Sequence, residues 1–131
     1  MIVLDTHTWI WLVGAPDQLS GAARDAIDGA ETLGVSAIST WEIATKERRG
    51  RLRLDRPVHV WRRQALAIAG VEELPVTGPI ALRAGAFADG IPGDPADRLI
   101  TATALDHGAA LVTKDGRLQG TAARTGLRWI W

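Results

Sequence analysis

The chain has 131 residues, a length that suits one hydrophobic core, and its 47% hydrophobic and 23% charged residues give apolar mass for that core with too little charge for disorder. Fifteen basic and fifteen acidic side chains cancel, which excludes a protein that attracts nucleic acid by its overall charge. The lack of cysteine excludes disulfides, thiolate metal sites and cysteine nucleophiles, and leaves carboxylate, imidazole and hydroxyl chemistry.

One domain spanning residues 1–131 is expected. No apolar run approaches the roughly 18 residues of a membrane span, and Met1-Ile2-Val3-Leu4-Asp5 lacks the basic start of a signal peptide. A cytoplasmic protein without a membrane partner is therefore expected.

Ile2-Val3-Leu4 is a short apolar run that stops at Asp5, the pattern of a buried strand whose end emerges at a sheet edge. Ser20 to Ala30 opens with a capping serine and predicts a helix. Leu33 to Ala37 predicts a second strand, and Ser39 to Arg49 a helix closed by Gly50. From Lys46 to Arg56 six bases meet only Glu47 and Asp55, a basic stripe that fits either a solvated helix end or a phosphate-contacting surface. In Pro57 to Ala69, Val58, Trp61, Ala65 and Ile68 recur at helical spacing. Val71 to Val76 predicts a strand, Pro79 to Ala88 a helix, and Asp89 to Pro95 an irregular segment rich in Pro and Gly. A helix from Ala96 to His107 and strands at Ala110–Thr113 and Leu127–Trp131 complete the set. Strands alternating with helices imply a three-layer α/β domain with a central, mainly parallel sheet flanked by helices, whose ligands bind beyond the carboxyl ends of the strands.

That architecture would gather Asp5, Glu42, Asp97 and Asp115, with Asp94 close by. Clustered carboxylates repel one another and are stable chiefly around a cation. Oxygen ligation selects Mg²⁺ or Mn²⁺, and an ion that keeps open positions for water and phosphate serves phosphodiester hydrolysis. Each acid also has a purely structural alternative. Ser39-Thr40-Trp41-Glu42 fits a capping box, Asp94-Pro95-Ala96-Asp97 fits a helix start with Asp94 as the cap, and Asp115-Gly116 fits a turn. Asp5 alone has no evident local task. The six tryptophans are many for a chain with one Phe and no Tyr; most are expected in the core, with Trp9, Trp11 or the terminal pair as candidates for an interface.

The chain resembles the PIN domain, specifically the VapC-type ribonuclease toxins, through Ile2 to His7, Ser36 to Ile43 with Trp41-Glu42-Ile43, Gly93 to Ile100, and Leu111-Val112-Thr113-Lys114-Asp115. The resemblance implies a Mg²⁺- or Mn²⁺-dependent endoribonuclease with the acidic quartet Asp5, Glu42, Asp97 and Asp115, Asp5 and Asp97 holding the metal. Thr113 matches the family's small hydroxyl residue near the last acid and would bond a site water or a carboxylate; Asp94, from its place as a helix cap, is the acid expected to be structural. It also implies a homodimer, a VapB-type antitoxin and an RNA substrate, tRNA being one candidate. Lys46, four residues after Glu42, and Arg98, beside Asp97, are candidate phosphate contacts. Ala96 stands where these toxins usually carry an aromatic, a change in packing that removes no ligand.

Two other readings compete. A haloacid-dehalogenase-type phosphatase also starts with a strand ending in Asp and uses a late Gly-Asp-x-x-Asp segment, but it needs a second Asp where this chain has His7. A non-catalytic PIN-like scaffold would bind RNA or protein without cutting, and such scaffolds tend to lose acids that this chain keeps.

Overall fold

A computed structural model describes residues 1–131. Strands β1 (Ile2–Leu4), β2 (Leu33–Ser36), β3 (Val71–Leu74), β4 (Ala110–Val112) and β5 (Trp129–Ile130) form one sheet in the order β3-β2-β1-β4-β5. Every pairing is parallel. Between the strands run α1 (Thr6–Gly14), a short 3₁₀ turn (Pro16–Gln18), α2 (Gly21–Gly29), α3 (Ala37–Arg48), α4 (Val58–Leu66), α5 (Gly78–Ala86), α6 (Pro95–Asp106), α7 (Gly116–Gln119) and α8 (Ala122–Thr125). None of the helices is long and apolar enough to cross a membrane.

Strand periodicity sends neighbouring side chains to opposite faces, and this divides the core in two. Leu4, Leu33, Val35 and Val112 join Trp9, Ala23, Ile27, Ile43, Trp61 and Ala65 on one face. Val3 and Leu111 join Ile100, Ala104, Leu118 and Leu127 on the other. A smaller cluster, Ile80, Ala84 and Ala102, fixes α5 to the outside of α6. Gly34 lies where the sheet meets Leu74: a Cβ there would come within 2.6 Å of Leu74 Cδ1.

The expected helices and strands are present with ends displaced by at most three residues, and three helices appear that the sequence pattern does not announce: α1, α7 and α8. At α3 the difference changes the chemistry. Strand β2 turns directly into the helix at Ser36, whose hydroxyl accepts from Ile38 N at 3.3 Å, so α3 begins at Ala37. Ser39 is therefore interior to the helix, not its cap, and its Oγ accepts a hydrogen bond from Thr6 Oγ1 at 2.9 Å. The capping-box alternative is not realised, which releases Glu42 from that task.

Strand β1 is the point from which the chain winds to either side, first through β2 and β3, later through β4 and β5. In open parallel sheets the crevice beyond such a point is where ligands bind. Asp5 follows β1 and Thr113 follows β4 at this crevice.

Candidate active site

Asp5 is buried, and both of its oxygens are engaged. Oδ1 accepts from Thr6 N at 2.8 Å, making Asp5 the N-cap of α1, and Oδ2 accepts from Thr113 Oγ1 at 2.7 Å. The acid that had no evident local task thus has one. The fully buried Thr113 hydroxyl also accepts from Asp115 N at 3.0 Å, so one hydroxyl joins the ends of β1 and β4 and fixes its own proton toward Asp5. A carboxylate has about four acceptor positions, so two on Asp5 stay free toward the crevice.

Asp97 reaches the same place from α6. Asp94 Oδ1 accepts from the backbone N–H groups of Ala96 and Asp97 at 2.8 and 3.2 Å, and Pro95 occupies the first turn. This cap points the first turn of α6 at the crevice and carries Asp97 with it. Asp115 caps α7 by accepting from Arg117 N at 2.9 Å. Glu42 lies on α3 and pairs with Lys46 one turn later at 3.3 Å.

Asp5, Glu42, Asp94, Asp97 and Asp115 line one hollow of about 130 Å³ together with His7, Lys46 and Arg117, and no hydrophobic residue contributes. Five carboxylates thus face two permanent cations. Arg117 partly balances them: its guanidinium lies 2.7 Å from Asp115 Oδ2 and 3.2 Å from Asp97 Oδ2. Sequence reasoning missed Arg117 and left His7 undecided; the signal for both was position, each lying two residues after a site acid.

Arg98 is not brought to the hollow. It donates to the carbonyls of Ala84 and Phe87 at 2.9 and 2.6 Å and lies over the Phe87 ring, tying α6 to the end of α5. Successive helical residues are rotated by about 100°, so a neighbour of Asp97 faces elsewhere. Among the tryptophans, Trp41 and Trp9 depart from expectation, the first exposed and the second in the core. Trp9 and Trp61 are core, Trp11 packs on Trp131, and the exposed ones are Trp41 and Trp129.

Burial drives the Asp97 carboxyl up from its ordinary 3.8 to about 7; the negative fields of Asp94, Asp5 and Asp115 add to this against the opposing pull of Arg117. Burial likewise raises Asp5 despite its hydrogen bonds to Thr113 and Thr6. Asp115 is held low, chiefly by its hydrogen bond to Arg117.

These shifts set a pH dependence. Folded Asp97 holds a proton that the unfolded chain releases near pH 4, so its contribution to stability is full below that pH and is lost as pH rises through about 7. Asp115 and Glu73, whose values are lowered, contribute fully above about pH 4.5 and are flat across this window. The metal-free protein should therefore melt several degrees lower at pH 8 than at pH 5, and millimolar Mg²⁺ or Mn²⁺ should raise the pH 8 value but hardly alter that at pH 5. Thermal unfolding at the two pH values with and without metal checks this; equal metal effects at both would contradict it.

The donor set fits a hard divalent cation: five carboxylates against two permanent cations, with Asp5 and Asp97 buried and raised chiefly by that burial. No three acid or imidazole side chains already close on a metal position. Closure is not required for Mg²⁺, which commonly takes one or two carboxylates and fills its shell with water and phosphate.

An all-parallel sheet with acids gathered at its carboxyl edge defines a class of small α/β proteins, and comparison with known proteins places the chain within it. The PIN domain family matches residues 2–124. Ribonuclease VapC22 of Mycobacterium tuberculosis is 43% identical over 118 residues, 90% of this chain and 89% of that protein. Among solved structures, VapBC2 from Rickettsia felis, bound to a DNA fragment from its promoter, superposes with a TM-score of 0.70 at 16% identity, covering 98% of this chain and 97% of that one. VapBC-1 from nontypeable Haemophilus influenzae gives a TM-score of 0.66 at 22% identity, covering 98% and 96%. The chain belongs to the PIN-domain family and is of the VapC type.

Proposed function

We propose that this chain is the toxin of a type II toxin–antitoxin pair and acts as a Mg²⁺- or Mn²⁺-dependent endoribonuclease. The observation that carries this is the convergence of Asp5, Glu42, Asp97 and Asp115 on one wholly polar hollow. The relationship to Ribonuclease VapC22 supports RNA as the substrate.

Asp5 and Asp97 would hold the ion. It would supply a Lewis acid for the phosphate and a more acidic water at neutral pH. Thr113 keeps Asp5 oriented, so that the cap to α1 and the open face of the carboxylate coexist. Glu42 and Asp115 would position the attacking water, and each has a cation as its present partner, Lys46 and Arg117. Lys46 can turn from Glu42 to the RNA phosphate. Arg117 must give up at least its contact with Asp97 before that oxygen is free to bind an ion.

The same proposal takes residues 1–131 as one PIN domain in the cytoplasm, paired as a homodimer and restrained by a small cognate antitoxin. The matched structures from Rickettsia felis and Haemophilus influenzae are VapBC proteins, which supports such a partner.

The test is incubation of the antitoxin-free protein with a mixed RNA pool in Mg²⁺, in Mn²⁺ and in EDTA. Cleavage in either metal and none in EDTA is expected. Folded protein that binds RNA in every condition and cuts it in none would favour the non-catalytic scaffold.

A further inference from the structure

We propose that the pocket beside Glu42, walled by Trp41, Thr45, Arg49 and Arg51, is a nucleotide subsite in which the Trp41 indole stacks on a base of single-stranded RNA while Arg49 and Arg51 meet an adjoining phosphate. The inference rests on the RNA-cleaving function proposed above and adds a place for the nucleotide next to the cut.

Trp41 is 58% exposed, unlike Trp9 and Trp61 in the core. Its ring takes no part in the aromatic contacts made by Trp9, Trp11, Trp61 and Trp131, or in the two cation–π contacts of the chain. Leaving an indole in water forfeits the burial of a large apolar side chain.

Helical spacing explains what surrounds it. Trp41 and Thr45 lie one turn apart on α3, and Arg49 follows one turn later at its C-cap. Glu42 and Lys46 form the adjacent stripe, which faces the acids. One helix therefore presents a catalytic stripe and, beside it, a stripe that carries a flat ring and a cation. The end of α3 brings in a second cation. Gly50 takes φ +71°, with its N–H donating to Glu47 O at 3.0 Å, and Arg51 N donates back to Lys46 O at 2.8 Å. This is the glycine-closed turn that reverses the chain at a helix end, and it sets Arg51 on the wall of the pocket.

Neither Arg49 nor Arg51 takes part in any of the chain's salt bridges. The C-terminal pole of α3 accounts for part of this positive charge but not for an exposed indole beside it. The pocket has a volume of about 150 Å³ and shares Glu42, Lys46 and Asp94 with the acidic hollow. A strand whose phosphate reaches the acids would pass the next base over Trp41. A polyanion with flat bases satisfies both the ring and the two guanidinium groups, whereas an apolar protein surface would desolvate those charges unpaired.

The experiment measures binding of a fluorescein-labelled eight-nucleotide single-stranded RNA by anisotropy, in EDTA so that it is not cut. Trp41→Ala should weaken binding roughly 5- to 100-fold, while Trp41→Phe, which keeps a stacking face, should stay within about 3-fold of the parent. Arg49→Ala combined with Arg51→Ala should flatten the dependence of log affinity on log salt by about one unit. An abasic residue placed at successive positions of the RNA should weaken the parent at one position and Trp41→Ala at none. The melting temperature of Trp41→Ala should match the parent, because the ring is exposed. Unchanged RNA affinity in Trp41→Ala would overturn the subsite, as would a variant whose only defect is lost self-association or lost binding of a protein partner. If the parent still cuts RNA with Mn²⁺ in that case, the nuclease function stands without the subsite; a parent that neither binds nor cuts RNA removes both.

Discussion

Asp5→Asn is expected to lower RNA cleavage by about 10²- to 10⁴-fold and to leave folding stability within about 1 kcal/mol of the parent. The rate follows from the loss of one of two proposed ion-holding carboxylates, since a catalytic metal supplies several kcal/mol and each 1.36 kcal/mol is tenfold in rate. The small stability change follows from the surroundings of Asp5. Asparagine keeps an oxygen for the cap to Thr6 N, and relief of the burial that already disfavours the Asp5 charge offsets the loss of the hydrogen bond that Thr113 donates. Cleavage rates with saturating Mn²⁺, measured beside urea unfolding, check both parts. Full activity would remove Asp5 from the chemistry. A large drop in stability would mean that its cap to α1 and its bond to Thr113 are its main contribution.

Trp9→Ala is expected to cost about 3 to 5 kcal/mol, a large share of the roughly 5 to 15 kcal/mol that holds a domain of this kind folded. Trp9 is fully buried, packs edge-on against Trp61 with ring centroids 5.0 Å apart, and lies in the larger core cluster. Its removal leaves a cavity under α1, the helix whose first turn Asp5 caps and which carries His7 into the hollow. Activity should fall with the folded fraction. Trp9→Phe should cost less, because it keeps ring contacts and removes an indole N–H that has no hydrogen-bond partner. Urea midpoints for both variants decide the matter; a Trp9→Ala cost under 1 kcal/mol would show that the core closes over the gap.

The sheet was legible because most of its strands are short apolar runs with clear punctuation, and the placing of Asp5, Asp97 and Asp115 in the candidate site because each lies just past such a run or at a helix start. Helix α1 was not legible. Thr6-His7-Thr8-Trp9-Ile10-Trp11 is built from β-branched, aromatic and imidazole residues with weak helix propensity, and burial of Trp9 against Trp61 overrides that preference. Ser36 and Ser39 are both plausible caps in sequence, and only the direct strand-to-helix turn after β2 chooses between them. Arg117 escaped notice because a cation two residues after an acid reads as a surface charge until α7 folds it back over Asp97 and Asp115. Arg98 failed in the opposite way: proximity in the chain suggested a role that helical rotation then denied it.

The central claim is that Asp5 and Asp97 hold a divalent cation where the strands end, and anomalous diffraction from crystals grown with Mn²⁺ at pH 8 tests it most directly. The account predicts an anomalous peak within coordination distance of both carboxylates, with the Arg117 guanidinium moved off Asp97. A protein that cuts RNA in Mn²⁺ while Arg117 keeps its contact with Asp97, and no peak lies in the hollow, would contradict it.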